Sequence, residues 1–180
     1  MNHTALAMLA ALVCFPILVH ANDAPRQESD VQSRVDKLSF LLGDWNCAGR
    51  VFAHGKISAH VTTAQAHGTK VVGNHWILFR YDEGKTAENP KPFHIDQYFG
   101  YDLNSKQFVS VALDMRGSFS ETTPEMTGDS ISFDEMTDGK IVAHDSFSKK
   151  SEDEISHTGR SLNNEGKWVE TDEEICRKTR

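Results

Sequence analysis

Apolar and polar side chains alternate with a period of two over most of the chain, from Asp44 onward, and Gly, Asn and Asp recur between the alternating stretches. This alternation predicts half-buried strands, and the recurring residues supply the backbone conformations of tight turns. About ten strands are expected from this spacing. They are predicted at 45–53, 56–66, 70–81, 93–103, 107–114, 118–122, 130–135, 140–148, 154–161 and 167–177.

One helical pattern precedes the strands. Apolar residues recur at helical spacing between Val31 and Leu42, and Gly43 ends the pattern. The apolar stripe of such a helix has to pack against the strands that follow. We therefore predict a flexible leader and helix start over 22–34, and a single barrel domain over 35–180.

The strand pattern also indicates how the sheet is arranged. Strands without helices between them pair with their sequence neighbours and form an antiparallel meander. An open meander leaves two unpaired edges, and closing it into a barrel removes both. The prediction is an all-β fold, an antiparallel up-and-down β-barrel of about ten strands with one short N-terminal helix.

The cysteines bear on this closure. Cys14 lies in the N-terminal apolar stretch, whereas Cys47 and Cys176 lie in the first and last predicted strands. The first and last strands of a closed up-and-down barrel are neighbours. Cys47 and Cys176 could then reach the ~6 Å Cα separation of a disulfide. The alternative is two unpaired buried thiols.

The first 21 residues are typical of a signal peptide. The stretch 5–19 is almost entirely apolar but too short for a membrane span, and 19–21 offers small residues for cleavage. An uncleaved anchor is the alternative. Cleavage would give a periplasmic or secreted protein with no stable membrane insertion, in an oxidising compartment that permits the disulfide.

Charge narrows the range of partners. The chain has 19 Lys and Arg against 26 Asp and Glu, a net charge of −7, and its basic residues are scattered along the sequence. Proteins that bind nucleic acid or anionic membranes normally present a basic face. The sequence therefore argues against both partners, and it leaves the oligomeric state open.

Two short motifs resemble a known family. The helix ends in F-L-L-G-D-W at 40–45 and runs directly into the first strand, and G-Y-D at 100–102 opens a hairpin. These motifs resemble the DUF1579 family of calycin-like proteins, relatives of the lipocalins and of nitrobindin-type haem-binding barrels. Over 35–177, the resemblance implies a β-barrel that can enclose a cavity, and it implies no settled activity. Trp45 is expected to plug one barrel end.

A barrel interior would offer aromatic contacts to a ligand. The candidate ligand-binding residues are His75, Trp76, Phe79, Phe99, Tyr101, Phe108 and Phe147. His75 shares a predicted strand face with Phe79, so it could ligate haem iron, or it could be an ordinary core histidine. Nitrobindin-type barrels carry their proximal histidine near the C-terminal strand, which has none here. The resemblance therefore disfavours haem, and no cofactor is predicted.

The sequence supports acid–base catalysis less than it supports ligand binding. His94 and Asp96 lie on the strand face opposite the aromatic residues and should point to solvent. The acidic run 170–174 is divided between two faces and is interpreted as a solvated edge, with loose calcium binding as the alternative. Zinc-ligand spacing, a G-x-S-x-G elbow and a P-loop are all missing from the sequence. No catalytic or metal site is predicted.

The sequence thus predicts an exported small β-barrel that binds a small apolar or amphipathic ligand in its interior. The alternatives are a solid-cored envelope or structural protein, and a barrel-mouth enzyme or haem binder. A cavity above ~300 Å³ would favour ligand binding, and a filled interior would favour the structural protein. A perturbed histidine or carboxylate in a cleft would favour the enzyme.

Overall fold

The computed structural model describes residues 23–179, with side chains from residue 27 onward. The predicted signal peptide, with Cys14, lies outside the described residues. The elements are helix α1 (Asp23–Val35), a 3-10 segment (Asp36–Leu41), β1 (Gly43–Val51), β2 (His60–Val71), β3 (Trp76–Glu83), β4 (His94–Asp102), β5 (Gln107–Asp114), β6 (Phe119–Thr122), β7 (Glu125–Thr127), β8 (Ser130–Thr137), β9 (Lys140–Ser151), β10 (Glu154–Leu162) and β11 (Trp168–Lys178).

All eleven strands belong to one antiparallel sheet in the order β6-β5-β4-β3-β2-β1-β11-β10-β9-β8-β7. Strands pair with their sequence neighbours, and β1 pairs with β11. The sheet is strongly curled into a half-barrel, so the inward-facing residues of all its strands surround one interior. The predicted all-β, up-and-down architecture with one N-terminal helix is confirmed. Among the described residues, no helix has both the length and the apolar character needed to cross a membrane.

The edges of the sheet are β6 and β7, which follow each other along the chain. Only Thr123 and Pro124 separate them, so the segment 119–127 pairs first with β5 and then with β8. Proline has no backbone N–H, which suits Pro124 to the point where the chain leaves one ladder for the other. The sequence pattern predicted β6 and missed β7.

The neighbouring positions of β1 and β11 confirm the predicted pairing of the cysteines. Cys47 lies directly opposite Cys176 in the strand register. Their Cα atoms are 3.9 Å apart, and their sulfur atoms form a disulfide across 129 residues of sequence. The first and last strands are therefore joined covalently as well as by the ladder.

The helical segment fills one end of the barrel. Leu38, Leu41 and Trp45 are buried there, and Trp45 Nε1 donates a hydrogen bond of 3.2 Å to the carbonyl oxygen of Leu41. Gly43, with a φ of 113°, turns the chain from the 3-10 segment into β1. Trp45 is thus a structural plug, as expected. Helix α1 begins within the predicted leader.

Connections in an up-and-down sheet alternate between its two ends. We call the end filled by the helical segment the closed end, and its turns are 72–75, 103–106, 128–129 and 152–153. The opposite end is the open end, and its loops are 52–59, 84–93, 115–118, 138–139 and 163–167. The cavity described below reaches the open-end loops.

The predicted strand 70–81 is wrong in its first half. The chain reverses at 72–75, where Val72, Gly73 and Asn74 have φ values of 49°, 65° and 69°. His75 therefore lies in a hairpin turn at the closed end and not on a strand face beside Phe79. Gly73 and Asn74 favour a tight turn, but the turn begins at Val72, and valine rarely adopts a positive φ, so the apolar pattern concealed the reversal.

Candidate functional site

The barrel encloses a cavity of about 560 Å³. One part of its wall is apolar and includes Val51, Phe79, Phe93, Ile95, Phe133 and Phe147. The other part carries hydrogen-bonding and ionisable groups, which include Tyr81, Gln97, Ser110, Asp145, His157, Asp172 and Glu174. The volume lies within the range of small-molecule sites, and the divided wall suits a molecule with an apolar body and a polar head.

His157, on β10, lies between carboxylates from both neighbouring strands. Its Nδ1 is 3.0 Å from Asp172 Oδ2 on β11, and its Nε2 is 3.7 Å from Asp145 Oδ1 on β9. These three side chains are only 19 to 25% exposed. The imidazole ring also lies 4.6 Å from the Phe147 ring, between centroids. The cluster thus joins the polar wall to the apolar wall.

Gly159 allows the carboxylates to approach so closely. It lies opposite Asp145 on β9 and Asp172 on β11. A Cβ atom at Gly159 would lie 2.6 Å from Asp172 Oδ1, 2.6 Å from Thr171 Oγ1 and 2.9 Å from Asp145 Oδ1. Three oxygen atoms therefore occupy the space of the missing side chain. A β-bulge after Gly159 brings both Thr171 and Asp172 to the cavity.

Burial and ion pairing set the protonation of this cluster. Burial raises the pKa of Asp145 to about 6, although the charge of His157 opposes the change. Burial alone would lower the pKa of His157, but the hydrogen bond to Asp172 and the two carboxylate charges outweigh it and raise that pKa. For Asp172, burial is outweighed by His157, so its pKa is lowered. The pairing thus favours an imidazolium beside an ionised Asp172.

Glu174 forms a second polar position on β11. Its Oε1 accepts hydrogen bonds of 2.6 Å from both Thr62 Oγ1 and Tyr81 Oη. Burial raises the pKa of Glu174 and also that of Tyr81. A neutral Glu174 at this place can donate as well as accept a hydrogen bond.

The prediction that 170–174 is a solvated edge is wrong for the inward-facing acids. Glu174 is 8% exposed, and Asp172 lines the cavity. Glu173, on the outer face, pairs with Arg50 at 2.8 Å, in keeping with the expected division between two faces. The pattern placed Asp172 and Glu174 on one face, but it could not show that this face is the interior.

Asp145, His157 and Asp172 could also hold a metal ion. One ligand atom from each residue lies within 4.8 Å of the others. Imidazole and carboxylate suit several divalent transition metals. His157 contacts both carboxylates, but Asp172 Oδ2 is buried without a hydrogen bond of good geometry, so the groups of the cluster do not fully satisfy one another.

Two of the seven predicted ligand-binding residues line the cavity, Phe79 and Phe147. Phe99 is completely buried, with its ring centroid 6.2 Å from that of Phe147. Tyr101 and Phe108 pack on each other with centroids 5.4 Å apart. These three residues belong to the hydrophobic core or pack against it, outside the cavity wall.

The other two predicted ligand contacts lie away from the cavity. Trp76 covers Gly100, where a Cβ would be 2.6 Å from the indole ring. His75 Nε2 is 3.9 Å from Glu28 Oε1 on helix α1. Neither residue is part of the cavity wall, so the geometry gives no support to haem ligation by His75.

The outward face of β4 is as predicted. Asp96 Oδ1 accepts a hydrogen bond of 2.7 Å from Arg80 Nε, and His94 contacts Asp82. These pairs link neighbouring strands on the outer surface of the sheet. His94 and Asp96 are therefore separate from the cluster around His157.

Comparison with known proteins agrees with this fold. The family model described as "Protein of unknown function (DUF1579)" matches residues 31–175. Rv2717c from M. tuberculosis is a similar solved structure, with 16% identity, a TM-score of 0.59, and coverage of 81% of this chain and 97% of that chain. At this identity, the likeness shows the fold alone.

A DUF3598 protein of unknown function from Nostoc punctiforme PCC 73102 covers 81% of this chain and 98% of its own, with 9% identity and a TM-score of 0.26. That score is too low to carry an argument. No curated protein matches the sequence. Because the family match spans most of the chain, this protein belongs to the DUF1579 family.

Proposed function

We propose that this protein binds a small amphipathic molecule inside the barrel. The cavity of about 560 Å³, with its wall divided between phenylalanines and ionisable groups, is the observation that carries the proposal. The apolar part of the ligand would lie against Phe79, Phe133 and Phe147. Its polar head would lie at His157 and the carboxylates beside it.

Burial of the carboxylates supports this assignment. Isolated charges are costly in an apolar interior, so a cluster such as Asp145, His157 and Asp172 weakens a fold that only needs a filled core. A solid-cored structural protein has no use for either the cavity or the cluster. The disulfide suits an oxidising compartment, which supports export as part of the proposal.

Acid–base catalysis at His157 is a second candidate. Asp172 at Nδ1 orients the imidazole, and Asp145, whose pKa burial raises to about 6, lies on the Nε2 side. An imidazolium held in this way can act as a general acid. The two candidates differ in outcome, because an enzyme would release a molecule of altered mass and a binding protein would return its ligand unchanged.

Cavity-filling variants test the proposed binding. Ala143 and Ala112 line the cavity, whereas Ala48 is exposed on the outer face of β1. The uncharged fluorescent probe N-phenyl-1-naphthylamine should bind the wild type with a rise in emission. Ala143→Phe and Ala112→Phe should each weaken binding at least tenfold, because the new ring occupies the cavity. Ala48→Phe should leave the affinity unchanged.

Circular dichroism would establish that each variant is folded. Equal binding by the wild type and both cavity variants would place the probe outside the barrel and overturn the proposal. The same conclusion would follow if the folded wild type bound no probe.

A further inference from the structure

Exposed large apolar side chains collect at the open end. Nine such residues occur in the part of the chain that the structure describes. Four of them lie in the open-end loops or directly beside them: Ile57, Met115, Phe119 and Trp168. Val61, Leu113, Met136 and Ile141 each lie one residue from a strand end that faces the same way, and only Val72 lies at the closed end. Phe119 and Met136 are 64% and 63% exposed.

Basic residues collect at the same end. The open-end loops carry five Lys or Arg residues, Lys56, Lys85, Lys91, Arg116 and Lys167, against three acids, Glu88, Asp138 and Glu165, and Lys140 follows directly as the first residue of β9. The closed-end turns carry Lys106 against Asp129, Glu152 and Asp153. In a protein with a net charge of −7, the loops at this end therefore carry more cations than anions. The fold gathers residues that are scattered along the sequence.

We propose that the open-end surface, formed by these apolar and basic side chains, docks on an anionic lipid surface. Apolar side chains at loop tips can enter the interfacial region of a bilayer, and Lys and Arg beside them are attracted to anionic headgroups. Trp168, with the Arg160 guanidinium carbon 5.7 Å from its ring centroid, has the amphipathic character typical of membrane interfaces.

The position of the cavity favours a lipid surface over a protein partner. The apolar residues lie on separate loops around an opening, and Ile57 and Arg116 belong both to the cavity wall and to this surface. Docking would place the opening against the bilayer. An amphipathic molecule could then pass between bilayer and barrel without crossing water. This inference goes beyond the proposed function, because docking does not require an occupied cavity.

Vesicle flotation of the full protein tests the docking. The wild type should float with vesicles of phosphatidylcholine and phosphatidylglycerol at 7:3, and at least tenfold less with phosphatidylcholine alone. Phe119→Ser with Met136→Ser should reduce binding at least tenfold. The matched control is Val72→Ser, which removes an equally exposed side chain, 69% exposed, from the closed end and should have no effect.

A variant and a matched control test the contribution of the basic residues to vesicle binding. Lys56→Glu with Lys140→Glu should weaken vesicle binding several-fold, whereas Lys37→Glu on the 3-10 segment should not. Brominated lipid should quench Trp168, and Trp168→Phe should remove that quenching, because the other two tryptophans, Trp45 and Trp76, lie at the closed end.

Three results would overturn the docking proposal. The first is vesicle binding that is the same with neutral and anionic lipid and is unchanged in the open-end variants. The second is the absence of vesicle binding by the folded wild type. The third is self-association that Phe119→Ser abolishes while lipid binding is unchanged. Ala143→Phe distinguishes docking on lipid from ligand binding inside the barrel. It should block the naphthylamine probe and leave flotation intact.

Discussion

Asp145 shows how the cavity cluster affects stability at the scale of one residue. Its side chain lies opposite Phe133 on β8 and Gly159 on β10. Its pKa in the folded protein is about 6, against an ordinary value of 3.8. The folded protein therefore binds more protons than the unfolded chain between these values, so stability falls as the pH rises through this window. The full shift corresponds to about 3 kcal/mol at most.

Asp145→Asn removes this penalty because asparagine does not ionise. We expect the variant to gain stability relative to the wild type as the pH rises from 4 to 7.5, by about 1–3 kcal/mol. Urea denaturation at both pH values measures the difference. Asp102→Asn provides a control, because hydrogen bonds from Ser105 and Asn104 lower the pKa of Asp102 from its ordinary value of 3.8. The stability that Asp102 contributes is therefore lost mainly below pH 4, and Asp102→Asn should show little change in relative stability over the same rise.

A gain in stability for Asp145→Asn that is equal at both pH values would show that burial does not raise the pKa of Asp145. The electrostatic description of the cluster would then be wrong.

The sequence predicted the strand face of a single residue better than it predicted which residues of different strands lie in contact. Alternation puts Ile155, His157 and Gly159 on one face of β10, which was available from the pattern. It could not show that Asp145 and Asp172 flank His157, because pairing across strands depends on hairpin geometry and on the bulge after Gly159. The cluster was missed for this reason, while the outward positions of His94 and Asp96 were predicted.

At the scale of elements, the closing pair β1 and β11 holds the two chain ends together. The disulfide closes a sequence separation of 129 residues, so it removes much conformational freedom from the unfolded chain. On the chain-entropy model, this stabilises by up to ~5 kcal/mol. The ladder between β1 and β11 remains when the bridge is removed.

Cys47→Ser should therefore lower the melting temperature under oxidising conditions and change it little in reductant, where the wild type also lacks the bridge. Thermal denaturation with and without dithiothreitol measures this. An equal loss in both conditions would assign the effect to packing at position 47.

Elements with clear turn chemistry were predicted well, and β5 was predicted with its observed bounds, 107–114. The failures have local causes. The turn 72–75 begins with a valine at positive φ, and β7 has three residues, too few for alternation to show. The sequence also predicted that β1 and β11 are neighbours, but it did not show that the free edges lie at β6 and β7.

At the scale of the whole molecule, the two ends of the barrel have different roles. The helical segment and Trp45 fill the closed end, while the cavity, the exposed apolar tips and the basic residues lie at the open end. Overall charge concealed this asymmetry, because an excess of acids elsewhere hides a local excess of cations. A sequence gives the total charge, and only the fold shows where each charge lies.

Binding inside the barrel is tested most directly by amide chemical shifts of the ¹⁵N-labelled protein during titration with N-phenyl-1-naphthylamine. We predict the largest shifts at Phe79, Ser110, Phe147 and His157, which line the cavity on four strands. Shifts confined to exposed positions such as Val61, Leu113 and Phe119, with the interior unchanged, would contradict binding within the barrel.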